Sequence, residues 1–459
     1  MTTILLAAMS TLIATWAVVK ESAGPNIRRP AERRTAWIVS LAALLIIGSG
    51  VMVRFLGVDH VLWGSDEFVT LLAGIRLHLL PLWNLQAQIR ENFFKSLFMS
   101  IHGLGDPVFF YLVVAVYRLF DIPITEANLF RAGALLGVAS LVLLSLFMRR
   151  FFSRGAALTA LAFGAWSPAL IGVAKTGFQI NFIIFLQLAA LLAYLLHLAK
   201  PRWPHAFLAG GLMILCAGSE LFYMAPVFLL LHAAHRPRRP LDSKDALVWG
   251  AYGAMMLLNG YLFLRIGRLG DLTLPGHFFH NAVMVPHPPR PLMSFLGQLN
   301  LLDLPPVVQA VLMGAGVAAA FLRRSPAALF GCAYLVLVVG MSWFMNFTYG
   351  ANLVHLLTPS LIVMAVGATD LADRVLGRAV RDRRASDLWA GLLCAALLVP
   401  VMAPWRVKPV PEVPAPYRCV KAVGSAIREL GGSNMPDTRV FIASNHTMVP
   451  TTMEYYLGL

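Results

Sequence analysis

Apolar residues in this chain come in long unbroken runs, not at the alternating or one-in-three spacing of half-wetted strands and helices. As a helix, a run of about 20 apolar residues is long enough to cross the hydrocarbon layer of a membrane. Such runs occur at 3–19, 36–56, 131–148, 156–172, 180–199, 246–264, 306–322, 326–343, 353–369 and 387–403. The stretch 206–234 is too long for one crossing, and the pattern predicts that it splits near Glu220 into two short helices. The run DPVFFYLVVAVYRLF, at 106–120, has an apolar core of only about 14 residues. That length suits an interfacial or re-entrant helix, placed here on the external side without crossing. The expected fold is an all-α polytopic membrane protein of about 11–12 transmembrane helices, with interfacial helices between them.

Composition supports this reading and excludes others. Of 459 residues, 58% are hydrophobic and 13% charged, with a mean hydropathy of +0.72. An ordinary soluble domain carries about 25% charged residues. A soluble enzyme, a disordered chain and a fibrous repeat are therefore ruled out. The net charge is +15, from 37 Lys+Arg against 22 Asp+Glu. Those basic residues lie mostly in short loops between apolar runs, where they set orientation. No basic stripe with interleaved aromatics indicates a nucleic-acid partner. Cys216, Cys332, Cys394 and Cys419 are scattered, so neither a zinc site nor a disulfide framework is expected.

By the positive-inside rule, the cytoplasmic segments are 20–35, 148–155, Lys200 with Arg202, 235–244, Arg323 with Arg324, and Arg374 through Arg384. The first apolar run has its basic residues after it, the reverse of a cleaved signal, and reads as an additional N-terminal helix. Three external segments follow: 57–130, 265–305 and the tail after 404. The expected organisation is 1–35 as that helix and its loop, 36–403 as the membrane core, and 404–459 as a small external α/β tail. The tail is expected to contain a helix near 417–430 and the strand RVFIAS. In the loop 265–305, His277, His280 and His287 lie in a Pro-rich stretch with no helix to align them, so a gate over a cavity is favoured over a metal site.

The first external loop opens GVDHVLWGSDEFVTLLAGIRLHLLPLW. Ser65 and Asp66 suit a helix N-cap and Glu67 a first turn, and the apolar helix that follows fits the membrane interface. Two readings of Asp66 and Glu67 stand side by side. They are caps, or they are carboxylates held at the boundary of a cavity, where acids are costly and usually functional.

WGSDEF after a first span, then GDPVFFYLVVAVYRLFDI, then FRAGALLGVASLVLLSLFMRRFFSRGAALTALAFGAWSPALIGVAKTGFQINFIIFLQLAALLAYLL, resembles the GT-C glycosyltransferases of the protein mannosyltransferase and aminoarabinose-transferase type. That family's order is a span, an Asp-Glu pair, a His-Pro-Pro-Leu-like segment, an Arg-led helix ending in basic residues, and a helix ending in Ser-Pro. The resemblance covers residues 36–200. It recurs more weakly at TYGANLVHLLTPSLIVMAVGA and at the tail. The family's His-Pro-Pro is here Gly105-Asp106-Pro107, and its late Arg-Tyr is replaced around Val354-His355.

The resemblance implies a GT-C-like bundle and a sugar donor carried on a polyprenyl phosphate. The acceptor would be a glycan, a lipid or a protein, met on the external (periplasmic) face of the inner membrane. Independently, the chain has no GxxxxGK[ST] loop and no GxGxxG after a strand, so nothing in it marks a nucleotide site. The chemistry needs a base for the acceptor hydroxyl and cations for the leaving phosphate. Asp66 is assigned as base. Glu67 or Asp106 is the second acid, positioning the acceptor or helping Asp66 hold a divalent metal such as Mg or Mn. The phosphate-binding cations are Arg76, Arg131, Lys175, Arg265, Arg268 and His355, each of which has the plainer reading of a snorkelling or packed residue. A transporter or flippase is the alternative. It would predict internal repeats and charges at mid-membrane, and neither is evident.

Overall fold

The structure is a computed structural model that describes Ile13 and residues 30–56, 116–117, 119–123, 126–175, 180–217, 221–235, 242–266, 304–344, 354–376 and 383–402. Among the described residues the chain is helical and contains no strand. The interfacial helix expected after Ser65, nearly all of the 106–120 helix and the gate loop lie outside the described residues. So do the N-terminal helix, apart from Ile13, and the α/β tail.

Twelve α-helices are described: α1 (Pro30–Phe55), α2 (Glu126–Phe151), α3 (Arg154–Trp166), α4 (Pro168–Ala174), α5 (Ile180–Ala199), α6 (Trp203–Ala217), α7 (Ala225–His235), α8 (Ser243–Ile266), α9 (Pro306–Arg323), α10 (Pro326–Phe344), α11 (Val354–Leu376) and α12 (Arg383–Met402). Six of them, α1, α2, α5, α9, α10 and α11, are long and apolar enough to cross a membrane, and the bent pair α3 and α4 meets the same test only when the two are taken together. The chain is a polytopic membrane protein. The divided 206–234 stretch is observed as α6 and α7 joined through a 3₁₀ turn at Phe222–Met224.

One expectation is corrected. The run 156–172 is not a straight span but two helices bent by 61°. Pro168 has no N–H to continue the α3 ladder and disfavours a helical backbone at Ser167 before it. The Ser167 hydroxyl then accepts from Leu170 N–H and starts α4 as its N-cap.

The bundle is built around α3, α5 and α11. Every residue of α3 from Gly155 to Trp166 is buried, and α11 is 89% buried where α9 is only 22%. A helix apolar all round belongs inside such a bundle, and α9 and α10 present their apolar outer faces to lipid. Helices approach closely where small residues face each other. A Cβ on Gly367 of α11 would stand 2.2 Å from the Leu312 carbonyl oxygen and 2.5 Å from the Gly316 nitrogen of α9. Gly367→Ala is therefore expected to lower stability by about 1–3 kcal/mol as the two helices separate. Gly314→Ala on α9, whose added methyl meets nothing within 4 Å, should leave it unchanged. Unfolding midpoints in detergent check the pair.

The helix ends sort into two faces, and the sorting agrees with the charge pattern. Phe151 at the end of α2 packs on His235 of α7 and Phe330 of α10. Ser153, which caps α3, donates to Asp387 of α12 at 2.7 Å, and that carboxylate also accepts from Gly155 N–H. Arg323 at the end of α9 pairs with Asp370 and Asp373 near the end of α11. His197 of α5 meets Asp245 of α8 at 2.7 Å, and Lys244 lies over the Trp203 ring of α6. The described ends of the segments expected to be cytoplasmic and adjoining these helices therefore lie on one basic face. The end of α1, the start of α2, α4, and the starts of α5 and α11 lie toward the opposite face.

Candidate functional site

The described floor of the opposite face is organised by the break between α3 and α4. Pro168 leaves the Gly164 carbonyl without its helical donor, and the turn at Ser167 removes the Ala165 carbonyl from its own. Two bare carbonyls inside a membrane protein are costly and must be satisfied by something else. Arg54, in the last turn of α1, supplies the donors. Its Nη2 donates to Gly164 O at 2.7 Å, and its Nη1 donates to Ala165 O and to Gly50 O, each at 2.9 Å. The guanidinium suits this task because it presents several N–H groups in a rigid fork and stays charged against the negative end of α3. Arg54 is 1% exposed, the largest fully buried side chain described.

Lys175 follows directly. It is the C-cap of α4, with its backbone N–H on the carbonyls of Ile171 and Gly172. A cation is favoured at a helix C-terminus. Asn181, at the start of α5, donates its side-chain N–H to Val173 O at 2.7 Å and so holds the last turn of α4. Gly137 on α2 makes room for that turn, since a Cβ there would lie 2.7 Å from the Ala174 methyl. Lys175 is buried and lies just past the last helical residue of the bent pair. Burial, and after it the Arg54 charge, lower the Lys175 ammonium to about 8.

Beside Arg54 lies a cavity of about 20 Å³, room for a single water. Leucine and valine side chains line most of it, with Ser140, Asn181 and Thr358 as polar points. Arg54 belongs to the same lining, and its Nε has no hydrogen-bond partner. Thr358 continues into a buried polar chain. Its hydroxyl donates to Gln187 Oε1 at 2.8 Å, and Gln187 Nε2 donates to the Tyr334 hydroxyl. One turn before Thr358, His355 is 1% exposed and shares a 3.0 Å hydrogen bond with the Tyr223 hydroxyl, the rings packed edge to face.

The expected site residues divide accordingly. Lys175, Arg131 and His355 all lie in the half of the bundle away from the basic face. Lys175 is at the end of the break. Arg131 is in the second turn of α2, where it donates to Asn128 Oδ1 at 2.7 Å and so joins the local structure at the start of that helix. His355 is a packed, hydrogen-bonded histidine between α11 and the 3₁₀ turn. Asp66, Glu67, Arg76, Asp106 and Arg268 lie outside the described residues, as does the side chain of Arg265 at the end of α8. Among the described residues no group of three or more His, Cys, Asp or Glu is placed to hold a metal. Arg54 was missed in the reading of the sequence. The signal was present, because an arginine in the last turn of an otherwise apolar span has a task by default.

No protein-family model and no curated protein matches the chain. Solved structures do. The oligosaccharyltransferase of Archaeoglobus fulgidus, in its complex with zinc and sulfate, matches 89% of this chain and 58% of its own at 16% identity, with a TM-score of 0.53. The archaeal oligosaccharyltransferase AglB from Archaeoglobus fulgidus, in complex with an inhibitory peptide and a dolichol-phosphate, matches 89% of this chain and 60% of its own at 15% identity, with a TM-score of 0.54. The same organism's enzyme tethered to an acceptor peptide with the NVT sequon matches over the same shares at 14% identity and a TM-score of 0.53. The chain shares the membrane fold of these neighbours, and it spans about three-fifths of their length.

Proposed function

We propose that the chain is a membrane glycosyltransferase that moves a sugar from a polyprenyl-phosphate donor to an acceptor on the face opposite the basic one. The carrying observation is a fold shared with an enzyme solved in complex with dolichol-phosphate. It is joined by the position of Lys175 on the side toward which α1 runs before WGSDEF. In this reading Asp66 takes the acceptor proton, and the acceptor oxygen bonds to the sugar C1 as the C1–O bond to phosphate breaks. The phosphate leaves with both electrons, and the configuration at C1 inverts. Glu67 or Asp106 positions the acceptor or, with Asp66, a divalent metal.

Lys175 holds the departing phosphate, helped by the remaining cations of that face, Arg76, Arg131, Arg265, Arg268 and His355. The donor is lipid-borne, as for the mannosyltransferase and aminoarabinose-transferase relatives that the motif order resembles. The site faces the periplasm from the inner membrane, and the acceptor is a glycan, lipid or protein.

Native mass spectrometry of the purified protein tests the donor: a bound lipid-linked sugar is expected, and persistent absence with added donor counts against the reading. Cysteine labelling tests the side. Residues 57–130 should react with a membrane-impermeant reagent from outside, and labelling only after permeabilisation would overturn the topology.

Donor binding should also depend on pH. The Lys175 ammonium, lowered to about 8, is charged below that pH and neutral above it. Affinity for a polyprenyl phosphate is expected to fall as pH rises through about 8, and to be flat over that range in Lys175→Arg, which keeps its charge.

A further inference from the structure

We propose that Arg54 and Asn181 are positioning residues for Lys175, Arg54 acting through the start of α4 and Asn181 through its end. The inference rests on the reading of Lys175 as a cation for the donor phosphate.

The need for positioning comes from the length of α4. A seven-residue helix has two turns and no stability of its own. Within it only Ile171 and Ala174 are buried, so packing holds it along one edge. Its direction is therefore set by what happens at its two ends. At the start, Arg54 ties both freed carbonyls of α3 to the last turn of α1 and fixes the point where the chain bends by 61°. At the end, the Asn181 amide donates to Val173 O, two residues before Lys175. The Lys175 backbone is locked to α4 at 3.0 and 3.1 Å, so the root of its side chain moves with that helix. Rotation of α4 by a few degrees would carry the ammonium away from a phosphate it must meet at hydrogen-bond distance. Such a displacement lengthens a charge-assisted contact and weakens the hold on the phosphate.

Arg54 acts through Lys175 and not on the donor directly. It is 1% exposed, and both of its terminal nitrogens are given to backbone carbonyls. Asn181 is likewise buried, at 2% exposure.

The test measures binding of a short-chain polyprenyl phosphate to the full-length protein in detergent, with donor KM and kcat. Lys175→Ala is expected to weaken binding about tenfold. Asn181→Leu and Arg54→Lys are each expected to weaken it about fivefold, raising KM with kcat within about twofold. Combined with Lys175→Ala, neither should add a further loss, because each acts through the residue already removed. A purely structural role would instead reduce binding additively with Lys175→Ala, whatever the change in the unfolding midpoint. Where Asn181→Leu does not fold, Asn181→Asp replaces it, keeping the shape but offering no N–H to Val173. Weak binding in Lys175→Ala with wild-type binding in the other two variants overturns the inference alone, as does an additive loss. Wild-type binding in Lys175→Ala overturns the reading of Lys175, and the inference falls with it.

Discussion

Replacing Arg54 with methionine is expected to be among the most damaging single changes in the membrane core, costing about 3–5 kcal/mol. Methionine fills much of the volume and removes the charge, and a buried ion pair replaced that way is often neutral. Arg54 is different because its partners are backbone carbonyls that cannot be mutated away. Gly164 O has no helical donor while Pro168 is present, and Ala165 O has none while the chain turns at Ser167. Each carbonyl left bare costs about 1–3 kcal/mol. Against a total stability of about 5–15 kcal/mol, that loss leaves little folded protein. Adding Pro168→Ala should recover part of it by returning one N–H to the Gly164 carbonyl. Yield and unfolding midpoint in detergent check both variants, and a fully stable Arg54→Met would show that the break does not depend on its cap.

Asp66→Asn is the second large expectation, and it acts on rate alone. Asparagine has the shape of aspartate and can still cap the helix that the sequence predicts after it, so folding and insertion should be unchanged. It cannot accept the acceptor proton. A positioned base contributes about 10²–10⁴-fold, and transfer is expected to drop by that factor while donor binding stays within about twofold. Glu67→Gln and Asp106→Asn should cost less if they position the acceptor. A metal-bridging role for Asp106 would instead appear as activity in Asp106→Asn that rises with added Mg or Mn.

The membrane made much of this fold legible. Crossing helices must be apolar and about 20 residues long, so runs such as 180–199 and 326–343 delimit α5 and α10 closely. Basic residues at 149–150, 200–202 and 323–324 assigned helix ends to one face, and Phe151 with His235 and Phe330 brings such ends together. Glu220 marked the division between α6 and α7. The bend within 156–172 was written in Ser167-Pro168, but an apolar run hides a proline that a neighbouring side chain compensates. Arg54 was conspicuous as a charge in a span, but its task was illegible for a related reason. Its partners lie 110 and 111 residues away and are carbonyls, which leave no trace in residue identity. Gln187, Thr358 and Tyr334 likewise stand in three separate spans, and nothing in residue identity links them before the structure does. Lys175 stood out in the sequence as a cation at the end of an apolar run, and the structure places it at the C-cap of α4.

The central claim is sugar transfer from a lipid-linked donor. The most direct measurement supplies the purified protein with a radiolabelled polyprenyl-phosphate sugar and membrane acceptor, and follows label and anomeric configuration in the product. The account predicts that label moves from lipid to acceptor with inversion at C1, and that Asp66→Asn binds the donor but does not transfer it. Label that crosses the bilayer still attached to its lipid, or transfer at the wild-type rate by Asp66→Asn, would contradict it.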